Sequence, residues 1–368
     1  MKIVHFSDLH LDASFAWLGA RSDGARARRD AQRRTLETIA RLAQEERADA
    51  LFSGGDLFEH DLVTPDTVSF LLGLFARLAP LPVFLAPGNH DWLSPRSPYA
   101  TADWPENVHI FRSDRLEPVV LQEGLTLWGA AHLAPANTDS FLEGFQVGRG
   151  GINLALFHGA DMEALPYESS GKAPHAPFHA PQIAAAGLHH AFLGHYHRPR
   201  DREMYTYPGN PEPLEFGEEG IRGALIATIH PDGQITRERR RVAETEVGDL
   251  EVDLTPCASR HEVLELVRTE LSGRRGFMRL TLVGELQESV DLRSSDVSGV
   301  ELPSGVLGIQ VREHLRSAYD FPSIAAEPTV RGEFVRRVQG AQLPPDEERR
   351  VLLIGLRALG GRSDLEIL

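Results

Sequence analysis

Five short apolar runs along the N-terminal part of the chain each end in a histidine, an aspartate or an asparagine. The runs are rich in β-branched and aromatic residues, which is typical of buried strands. A polar side chain at the end of a buried strand is costly unless something satisfies it. In open α/β sheets, functional residues gather at the carboxyl ends of the strands. The pattern therefore predicts an α/β fold with a functional site at its strand ends.

Helical patterns separate several of these strands, as in the run from Arg26 to Glu46 with its apolar face. Short strand patterns between residues 108 and 131 are divided by polar turns, which is more typical of an antiparallel sheet. This alternation predicts an α/β core with two sheets over residues 1–245.

The pattern changes after about Val247. A helix pattern that stops at Gly273 precedes a strand pattern, which predicts a small α+β domain over residues 246–325. Residues 326–368 form a charged tail that ends in an amphipathic helix too small to bury its apolar face alone. We expect this helix to dock a partner or a second copy of the chain. Its docking residues would include Val351, Leu352, Ile354, Leu356 and Leu359.

The composition excludes several classes of protein. At 368 residues the chain is too long for one ordinary core, so two or three domains are expected. The net charge of −15 argues against a broadly basic surface that coats nucleic acid. Cys257 is the only cysteine, which excludes an internal disulfide and fits a reducing compartment. Without an apolar run of roughly 20 residues or a signal-peptide pattern, we expect a cytoplasmic protein with no membrane segment.

The polar residues at the strand ends are all potential metal ligands. They lie in the segments SDLH, GGD, GNHD, FHG and GHYH, and they are Asp8, His10, Asp56, Asn89, His158, His195 and His197. Oxygen and imidazole ligands without cysteine suit Mn, Fe or Zn rather than a thiolate site. Seven ligands exceed what one ion takes, so we expect two ions that share one carboxylate. Such a pair promotes in-line displacement at phosphorus.

The same segments, in this order, resemble the motifs of the calcineurin-type metallophosphoesterase superfamily. Longer segments, including HFSDLHLDASF, GDLFEHDLVTPDT, PGNHDWLSPRSPY and YPGNPEPLEFGEEGIRGALI, resemble the SbcD-type DNA repair exonucleases, the nuclease subunits that partner an SMC-like ATPase. The resemblance covers roughly residues 1–245, and the remainder matches only in its order. It implies a two-sheet α/β/β/α sandwich with a small α+β capping domain and a helical tail.

The resemblance also implies a role for each residue of the site. One ion would be held by Asp8, His10 and His197 and the other by Asn89, His158 and His195, with Asp56 bridging both. His90 would be catalytic, stabilising the transition state or protonating the leaving oxygen, and Asp91 would orient its ring. Mn²⁺ is the expected metal, with Mg²⁺, Fe and Zn²⁺ as alternatives.

Two positions depart from the family pattern. Many members carry a histidine three positions after the bridging aspartate, where this chain has Glu59 followed by His60. The Gly-Ser pair of the family reads Gly209-Asn210 here, a mild change in a loop expected near the substrate. The first departure leaves open how His90 is positioned.

Basic and aromatic residues give weaker signals. Arg198 and Arg200 directly follow the last ligand, so we expect them to bind substrate phosphate. The basic runs Arg26–Arg34 and Arg237–Arg241 could contact DNA phosphates, although such runs are usually solvated faces. Three aromatic residues near the site could stack on a base or pack beneath the loops, and these are Phe15, Trp17 and Trp92.

Five further histidines are expected to be structural or exposed. His132 ends a strand, where a structural role is favoured over one in the cleft. His175 and His179 lie in a proline-rich loop and are expected at the surface. His189 and His190 are expected to cap the final strand of the set.

Three functions are compatible with these residues. The leading hypothesis is a metal-dependent DNA exonuclease or endonuclease that hydrolyses phosphodiester bonds by a two-metal mechanism in double-strand break repair. Its partners would be DNA, an SMC-like ATPase of the SbcC type and a second copy of the chain. The alternative is a small-molecule phosphodiesterase or phosphatase of the same superfamily. A non-catalytic scaffold for the ATPase is disfavoured because the ligand set is complete.

Overall fold

The computed structural model describes residues 1–18, 22–136, 138–163, 174–218, 220–287, 290 and 292–360. The chain divides into two compact units, Met1–Gly248 and Asp249–Leu368. Two six-stranded sheets build the first unit, and the second unit contains a three-stranded sheet and three helices that follow it. In the described ranges, no helix combines the length and the apolar character needed to cross a bilayer.

The strands of the first unit are short, and eight of the twelve are buried at every position or at all but one. In chain order they are β1 Lys2–Phe6, β2 Ala50–Ser53, β3 Val83–Leu85, β4 Val108–Ile110, β5 Glu117–Gln122, β6 Leu125–Gly129, β7 Ile152–His158, β8 His190–Gly194, β9 Arg200–Asp201, β10 Tyr205–Tyr207, β11 Gly223–Ile229 and β12 Ile235–Arg241. Continuous burial is expected for parallel strands that are covered on both faces.

These strands form two sheets of mixed direction. The first sheet has the order β12-β11-β1-β2-β3-β4, and the second has the order β5-β6-β7-β8-β10-β9. The strands β1 to β4 are parallel to one another, and so are β6, β7 and β8. Parallel neighbours bring their carboxyl ends to one edge of the sheet. The predicted site residues therefore emerge together.

Helices cover the outer faces of both sheets. They are α1 Ser22–Glu45, α2 Pro65–Ala76, α3 Pro98–Thr101 and α4 Ala180–Ala185, with a 3₁₀ turn at Ala16–Leu18. The α2 helix begins after Thr64, whose side chain accepts a hydrogen bond from the backbone N–H of Thr67. One apolar cluster joins α1 and α2 to the first sheet, a second lies between the sheets, and a third joins α4 to the second sheet. These layers confirm the predicted two-sheet α/β architecture.

Two strand pairings differ from the sequence prediction. The stretch 108–131 is predicted to form an antiparallel sheet, and β5 and β6 do pair in this way. However, β4 lies parallel to β3 in the first sheet, and β6 lies parallel to β7. A strand of three residues carries too little pattern to show which sheet it joins.

The second unit contains a small α+β arrangement and a helical tail. Its elements are β13 Val247–Asp253, which starts at the boundary, α5 Arg260–Leu271, β14 Gly276–Gln287, α6 Ser294–Ser298, β15 Val306–Ala318, α7 Phe321–Ala326, α8 Val330–Gly340 and α9 Pro345–Leu359. The sheet order is β13-β14-β15, with β14 and β15 parallel. A single apolar cluster contains Val263 and Val267 of α5 together with Leu280 and Leu282 of β14.

The C-terminal helices have an apolar cluster of their own. It contains Ile324 of α7, Val335 and Val338 of α8, and Leu352 and Leu356 of α9. The expectation that Leu352 and Leu356 face a partner is therefore wrong, because neighbouring helices bury both side chains. In the same helix Ile354 and Leu359 are exposed. Only part of the predicted docking face is available.

Candidate metal centre

The predicted ligands lie at the carboxyl ends of five parallel strands. Asp8 and His10 follow β1, Asp56 follows β2, Asn89 follows β3, His158 ends β7, and His195 and His197 follow β8. Within the first sheet, the backbone N–H of Asp8 donates to the Gly55 oxygen at 2.9 Å. Between the sheets, the backbone N–H of His195 donates to Asp8 Oδ1 at 3.0 Å. The structure thus brings both sets of strand ends to one place.

Glycines allow the two sheets to approach at this edge. A Cβ atom added to Gly194 would overlap the Gly54 carbonyl oxygen, and one added to Gly88 would overlap the Asp56 carboxylate. Neither overlap could be relieved without moving the backbone or the central carboxylate. The glycines of the GGD, GNHD and GHYH segments are therefore needed for the strand ends to meet.

Four of the predicted ligands adopt a backbone conformation that favours glycine, and one of them is His195 with a φ angle of 115°. The φ angle is 55° at Asp8, 52° at His10 and 51° at Asp56. This left-handed region costs an L-residue about 1–2 kcal/mol, although aspartate and histidine enter it more often than most. Backbone hydrogen bonds at 2.9 Å, from Asp8 to Gly55 and from His10 to Asp56, hold these turns in place. Strain of this kind clusters at functional sites.

Asp56 lies at the centre of the arrangement. Its side chain is buried, with Oδ2 3.2 Å from His158 Nε2 and 3.7 Å from His10 Nε2. The other oxygen accepts the backbone N–H of His90 at 2.8 Å. Burial alone would raise the pKa of Asp56, but the imidazoles of His158 and His10 hold that pKa well below its usual range. An ionised carboxylate between two ligand groups is the geometry that a bridging ligand requires.

Two of the imidazoles are backed by carboxylates. His10 Nδ1 donates to Glu59 Oε1 at 2.7 Å, and His197 Nδ1 donates to Glu218 Oε1 at 2.6 Å. Burial alone would raise the pKa of each glutamate, but the histidine hydrogen bonds lower both pKa values to about 2. With the proton on Nδ1, each ring presents the lone pair of Nε2, as metal-bound histidines usually do.

The imidazole of His158 is backed by the main chain instead. Its Nδ1 donates to the carbonyl oxygen of Gly54 at 2.9 Å, so the Nε2 atom is directed toward Asp56. Burial opposes its charge, but the neighbouring Asp56 raises the pKa of His158 to about 9. His195 lies beside it, with Nδ1 3.3 Å from His158 Nε2. These two rings form the second half of the centre.

Two buried polar atoms support the presence of cations here. Within the described residues, His10 Nε2 and Asn89 Oδ1 have no hydrogen-bond partner. Leaving buried acceptors without partners costs about 1–3 kcal/mol each, so such atoms are rare. Ligand atoms of Asp8, His10 and His197 lie within 4.8 Å of one another, as do those of Asp8, Asp56 and His158. These residues could hold a dinuclear metal site; the role of each as a ligand stays a prediction.

His90 is positioned by Glu59 rather than by Asp91. Its exposed ring donates from Nδ1 to Glu59 Oε2 at 3.0 Å, and this hydrogen bond raises the pKa of His90 to about 9. Glu59 therefore bonds both His90 and His10. The position where family members often carry histidine has a carboxylate that links a predicted ligand to the predicted catalytic residue.

Asp91 organises the loop and not the His90 ring. Its carboxylate accepts the backbone N–H groups of Asp56 at 3.0 Å, Leu57 at 2.7 Å and Gly88 at 2.6 Å. It also accepts the hydroxyl of Tyr99 at 2.6 Å. The predicted orientation of His90 by Asp91 is therefore wrong, because these four donors hold the carboxylate. Adjacency in the chain did not place the two side chains together.

The predicted phosphate-binding arginines lie beside the second sheet. Arg198 is exposed, whereas Arg200 is partly buried. The Arg200 guanidinium is 3.8 Å from Asp161 and lies over the Tyr196 ring at 5.9 Å. Their role in binding phosphate stays a prediction.

Most arginines of the two basic runs that could contact DNA already pair with acceptors in the same unit. In the first run, Arg28 is buried against Glu212 at 2.9 Å. In the second, which forms β12, Arg239 pairs with Asp201 at 2.8 Å and Arg240 with Glu46 at 3.4 Å. These contacts fasten β12 and α1 to neighbouring segments. They give the runs a structural role.

The aromatic residues near the site pack against the protein. Phe15 is buried beneath Arg28, and the Trp17 indole donates to the Leu214 oxygen at 2.9 Å. Trp92 stacks on His60, with ring centroids 3.8 Å apart. All three therefore follow the packing alternative considered above.

The remaining histidines differ from one another. His132 is fully buried, and burial lowers its pKa to about 3, consistent with a structural role. His190 lies within β8 and is also buried, whereas His179 is exposed as expected. The expectation of surface exposure is wrong for His175, which is partly buried, and its ring lies 5.6 Å from that of His195. A histidine in a loop carries no pattern that would reveal this approach.

Glu59, Glu218 and His175 are the site residues that sequence reasoning missed. Glu59 was visible only as a departure from the family pattern. Glu218 lies 21 positions after the histidine that it supports, in a loop without periodicity. It lies in the segment YPGNPEPLEFGEEGIRGALI, whose resemblance to the exonucleases assigned it no role.

Comparisons with known proteins show which family the chain belongs to. The calcineurin-like phosphoesterase family matches residues 1–199. An uncharacterized metallophosphoesterase, YhaO of Bacillus subtilis, is 25% identical over 304 residues, which cover 78% of this chain and 73% of YhaO. The DNA double-strand break repair protein Mre11 of Aeropyrum pernix is 27% identical over 272 residues, covering 69% of this chain and 64% of that protein. The Mre11 protein of Methanopyrus kandleri is 28% identical over 256 residues, covering 61% and 52%.

Because the family match spans more than half of its length, the chain belongs to the calcineurin-like phosphoesterases. It is therefore a hydrolase of phosphate esters. The matches span less than two thirds of the length of the two archaeal relatives.

Proposed function

We propose that this phosphoesterase is a metal-dependent DNA nuclease that hydrolyses phosphodiester bonds in double-strand break repair, with Mn²⁺ as its preferred metal. The observation that carries the proposal is the convergence of Asp8, His10, His158 and His197 around the buried Asp56. The segments that resemble SbcD-type exonucleases support DNA as the substrate. The names of the two archaeal relatives support the same substrate.

The residues of the chain have distinct parts in this reaction. Two divalent ions in the centre would supply an activated water at neutral pH and neutralise charge on the phosphate. Glu59 holds His90 through Nδ1 at 3.0 Å, which leaves the Nε2–H group to donate to the leaving oxygen. Arg198 and Arg200 would bind the flanking phosphates. Asp91 keeps the loops after β2 and β3 in place through its three backbone acceptor bonds.

The charge of the chain requires DNA to be bound locally. The net charge is −15, and most arginines of the two basic runs are already paired. Phosphate contacts would therefore come from the metal centre and the residues around it. This differs from proteins that coat DNA with a basic face.

A small-molecule phosphodiesterase or phosphatase is the second candidate. The pairing of both basic runs favours it, because an enzyme for small substrates needs no extended phosphate-binding surface. Against it, the second unit of the chain, Asp249–Leu368, has no evident use for a small substrate.

A nuclease assay tests the proposal. Purified protein would be incubated with linear duplex and single-stranded DNA in Mn²⁺, Mg²⁺ or Zn²⁺, and with bis-p-nitrophenyl phosphate in parallel. We expect DNA degradation that is fastest in Mn²⁺ and reduced on the order of 10²-fold or more by His90→Ala. His314→Ala, which changes an exposed histidine of the second unit, is the matched control. Cleavage of the small diester without any DNA degradation would assign the enzyme to the second candidate.

We also propose that an SMC-like ATPase, or a second copy of the chain, docks on the C-terminal helices. The resemblance and the exposed Ile354 and Leu359 of α9 support this docking. Removing residues 330–368 should abolish co-purification with the partner while leaving the metal content unchanged. Undiminished association of the shortened protein would refute the docking proposal.

A further inference from the structure

The loop that carries His175 is fastened beside the metal centre. The backbone N–H of Ala160, two residues after His158, donates to the His175 carbonyl oxygen at 2.9 Å. The N–H of Phe178 donates back to the Ala160 oxygen at 2.9 Å. On the other side, the N–H of Ala176 donates to the Thr138 oxygen at 2.9 Å. These backbone hydrogen bonds on both sides of the loop therefore fix the position of the His175 main chain.

The turn after His175 is strained. Ala176 has a φ angle of 39°, within the left-handed region that an L-residue rarely adopts. The His175 ring lies 5.6 Å from the His195 ring and 6.3 Å from the His132 ring, measured between centroids. A strained turn that carries an imidazole to a predicted metal ligand suggests that the position of the imidazole matters.

His132 shows what a structural histidine looks like in this neighbourhood. Its Nε2 donates to the His158 carbonyl oxygen at 2.7 Å, and its Nδ1 accepts from the Thr138 hydroxyl at 2.8 Å. Both nitrogens are used, and the side chain is fully buried. The imidazole of His132 therefore has a complete structural explanation.

His175 has no such explanation. Its Nδ1 atom is buried and has no hydrogen-bond partner among the described residues. An apolar side chain would fill the same space without the cost of an unsatisfied polar atom. The histidine is therefore better explained by a ligand that is bound during function than by the folded protein alone.

We propose that His175 binds a phosphoryl oxygen of the substrate on the side of the centre formed by Asn89, His158 and His195. The seven predicted ligands already supply three residues and a share of Asp56 to each ion, so an eighth is not needed. An imidazole N–H next to that half can donate to a non-bridging phosphate oxygen and orient the diester. This inference rests on the proposed phosphodiester hydrolysis at the same site and adds a substrate-binding residue to it.

The experiment compares His175→Ala and His175→Gln with His179→Ala. His179 lies four positions further along the same loop and is exposed, so it is a matched control. Kinetics on bis-p-nitrophenyl phosphate in Mn²⁺ would be combined with calorimetric titrations of Mn²⁺ into the metal-free proteins and of inorganic phosphate into the Mn²⁺-loaded proteins. Circular dichroism would confirm that each variant is folded.

We expect His175→Ala to lower kcat/KM about 10–100-fold, mainly through KM, and to weaken phosphate binding by a similar factor. Both ions should still bind with the affinity of the wild type. His175→Gln should recover part of the loss because its amide can still donate, and His179→Ala should match the wild type.

Two results would overturn the inference. Loss of one ion in His175→Ala would make this residue a metal ligand instead. Unchanged KM and phosphate affinity in that variant would remove it from the substrate site. The test is separate from the nuclease proposal, because a protein that cleaves the small diester but not DNA still reports on His175. Phosphate titration reports on His175 even in the absence of turnover.

Discussion

The two halves of the candidate metal centre are built from similar ligands but are supported differently. In the half of Asp8, His10 and His197, both imidazoles donate to glutamates, Glu59 and Glu218. In the half of Asn89, His158 and His195, the His158 imidazole donates to the carbonyl oxygen of Gly54. An ionised acceptor makes an imidazole a stronger electron donor than a neutral one does. We therefore expect the first half to bind its ion more tightly.

The ligands themselves add to this difference. The first half contains the carboxylate of Asp8, whereas the second contains the neutral amide of Asn89. The pKa values of Glu59 and Glu218, both about 2, keep two further negative charges beside the first half at neutral pH. Residues that accept hydrogen bonds from the predicted ligands can therefore make two adjacent metal sites differ in affinity. Asp56 is the residue that both halves share.

The largest expected effect comes from removing the shared carboxylate. Asp56→Asn should reduce kcat on bis-p-nitrophenyl phosphate on the order of 10³-fold or more, because it lowers the charge that both ions share. Metal content measured by plasma mass spectrometry should fall for both halves. If the variant kept one ion at full affinity, Asp56 would belong to one half only.

A smaller and more selective effect is expected from the supporting glutamates. Glu59→Gln and Glu218→Gln should each weaken the tighter of two Mn²⁺ binding events about 10–100-fold, as measured by calorimetry. The weaker event should not change. Glu215→Gln, an exposed position in the same loop as Glu218, is the matched control. If both Mn²⁺ binding events were weakened equally, the glutamates would not be the cause of a difference in affinity between the two halves.

The smallest effect concerns acid sensitivity that belongs to the scaffold and not to the centre. Burial lowers the pKa of His5 in β1 to about 4 and that of His190 in β8 to about 3. Because the unfolded chain takes up these protons near pH 6.5, the stability is present above that pH and is lost as pH falls toward 4 and then 3. We expect the metal-free protein to lose about 1–2 kcal/mol per histidine between pH 7 and pH 5.

Urea unfolding in EDTA at the two pH values measures this loss. His5→Gln and His190→Gln should each flatten the pH dependence, and any acid loss that remains in metal-loaded protein then belongs to the ligands. A pH dependence that neither substitution alters would contradict the scaffold origin. The result separates the loss of unfolding free energy that comes from His5 and His190 from the loss that comes from the two halves of the metal centre.

The convergence of the ligand-type side chains could be predicted because each lies at the end of an apolar run. Asp8, Asp56 and His158 follow strands that are recognisable from composition, and parallel strands carry their ends to one edge. The two-sheet layering followed from the same pattern. What failed was pairing between segments far apart in the chain, such as the placement of β4 and the bond between His197 and Glu218.

The error over Asp91 has a different origin. Neighbours in a sequence are expected to interact, yet a carboxylate pointing into a tight loop is taken by the nearest backbone N–H groups. Likewise, the charge of Arg240 suggested a surface role, but its partner Glu46 lies 194 positions away. Such contacts depend on how loops close, which has no periodic signature.

The left-handed backbone at Asp8, His10 and Asp56 lowers the folding stability of the protein at positions whose side chains are expected to be needed for activity. Glycine at any of these positions would relax the main chain while deleting a side chain on which hydrolysis is expected to depend. Selection for heat resistance alone would therefore drift toward inactive sequences here. Substitutions intended to raise the thermal stability of the enzyme should therefore be made in the helices and not in these turns.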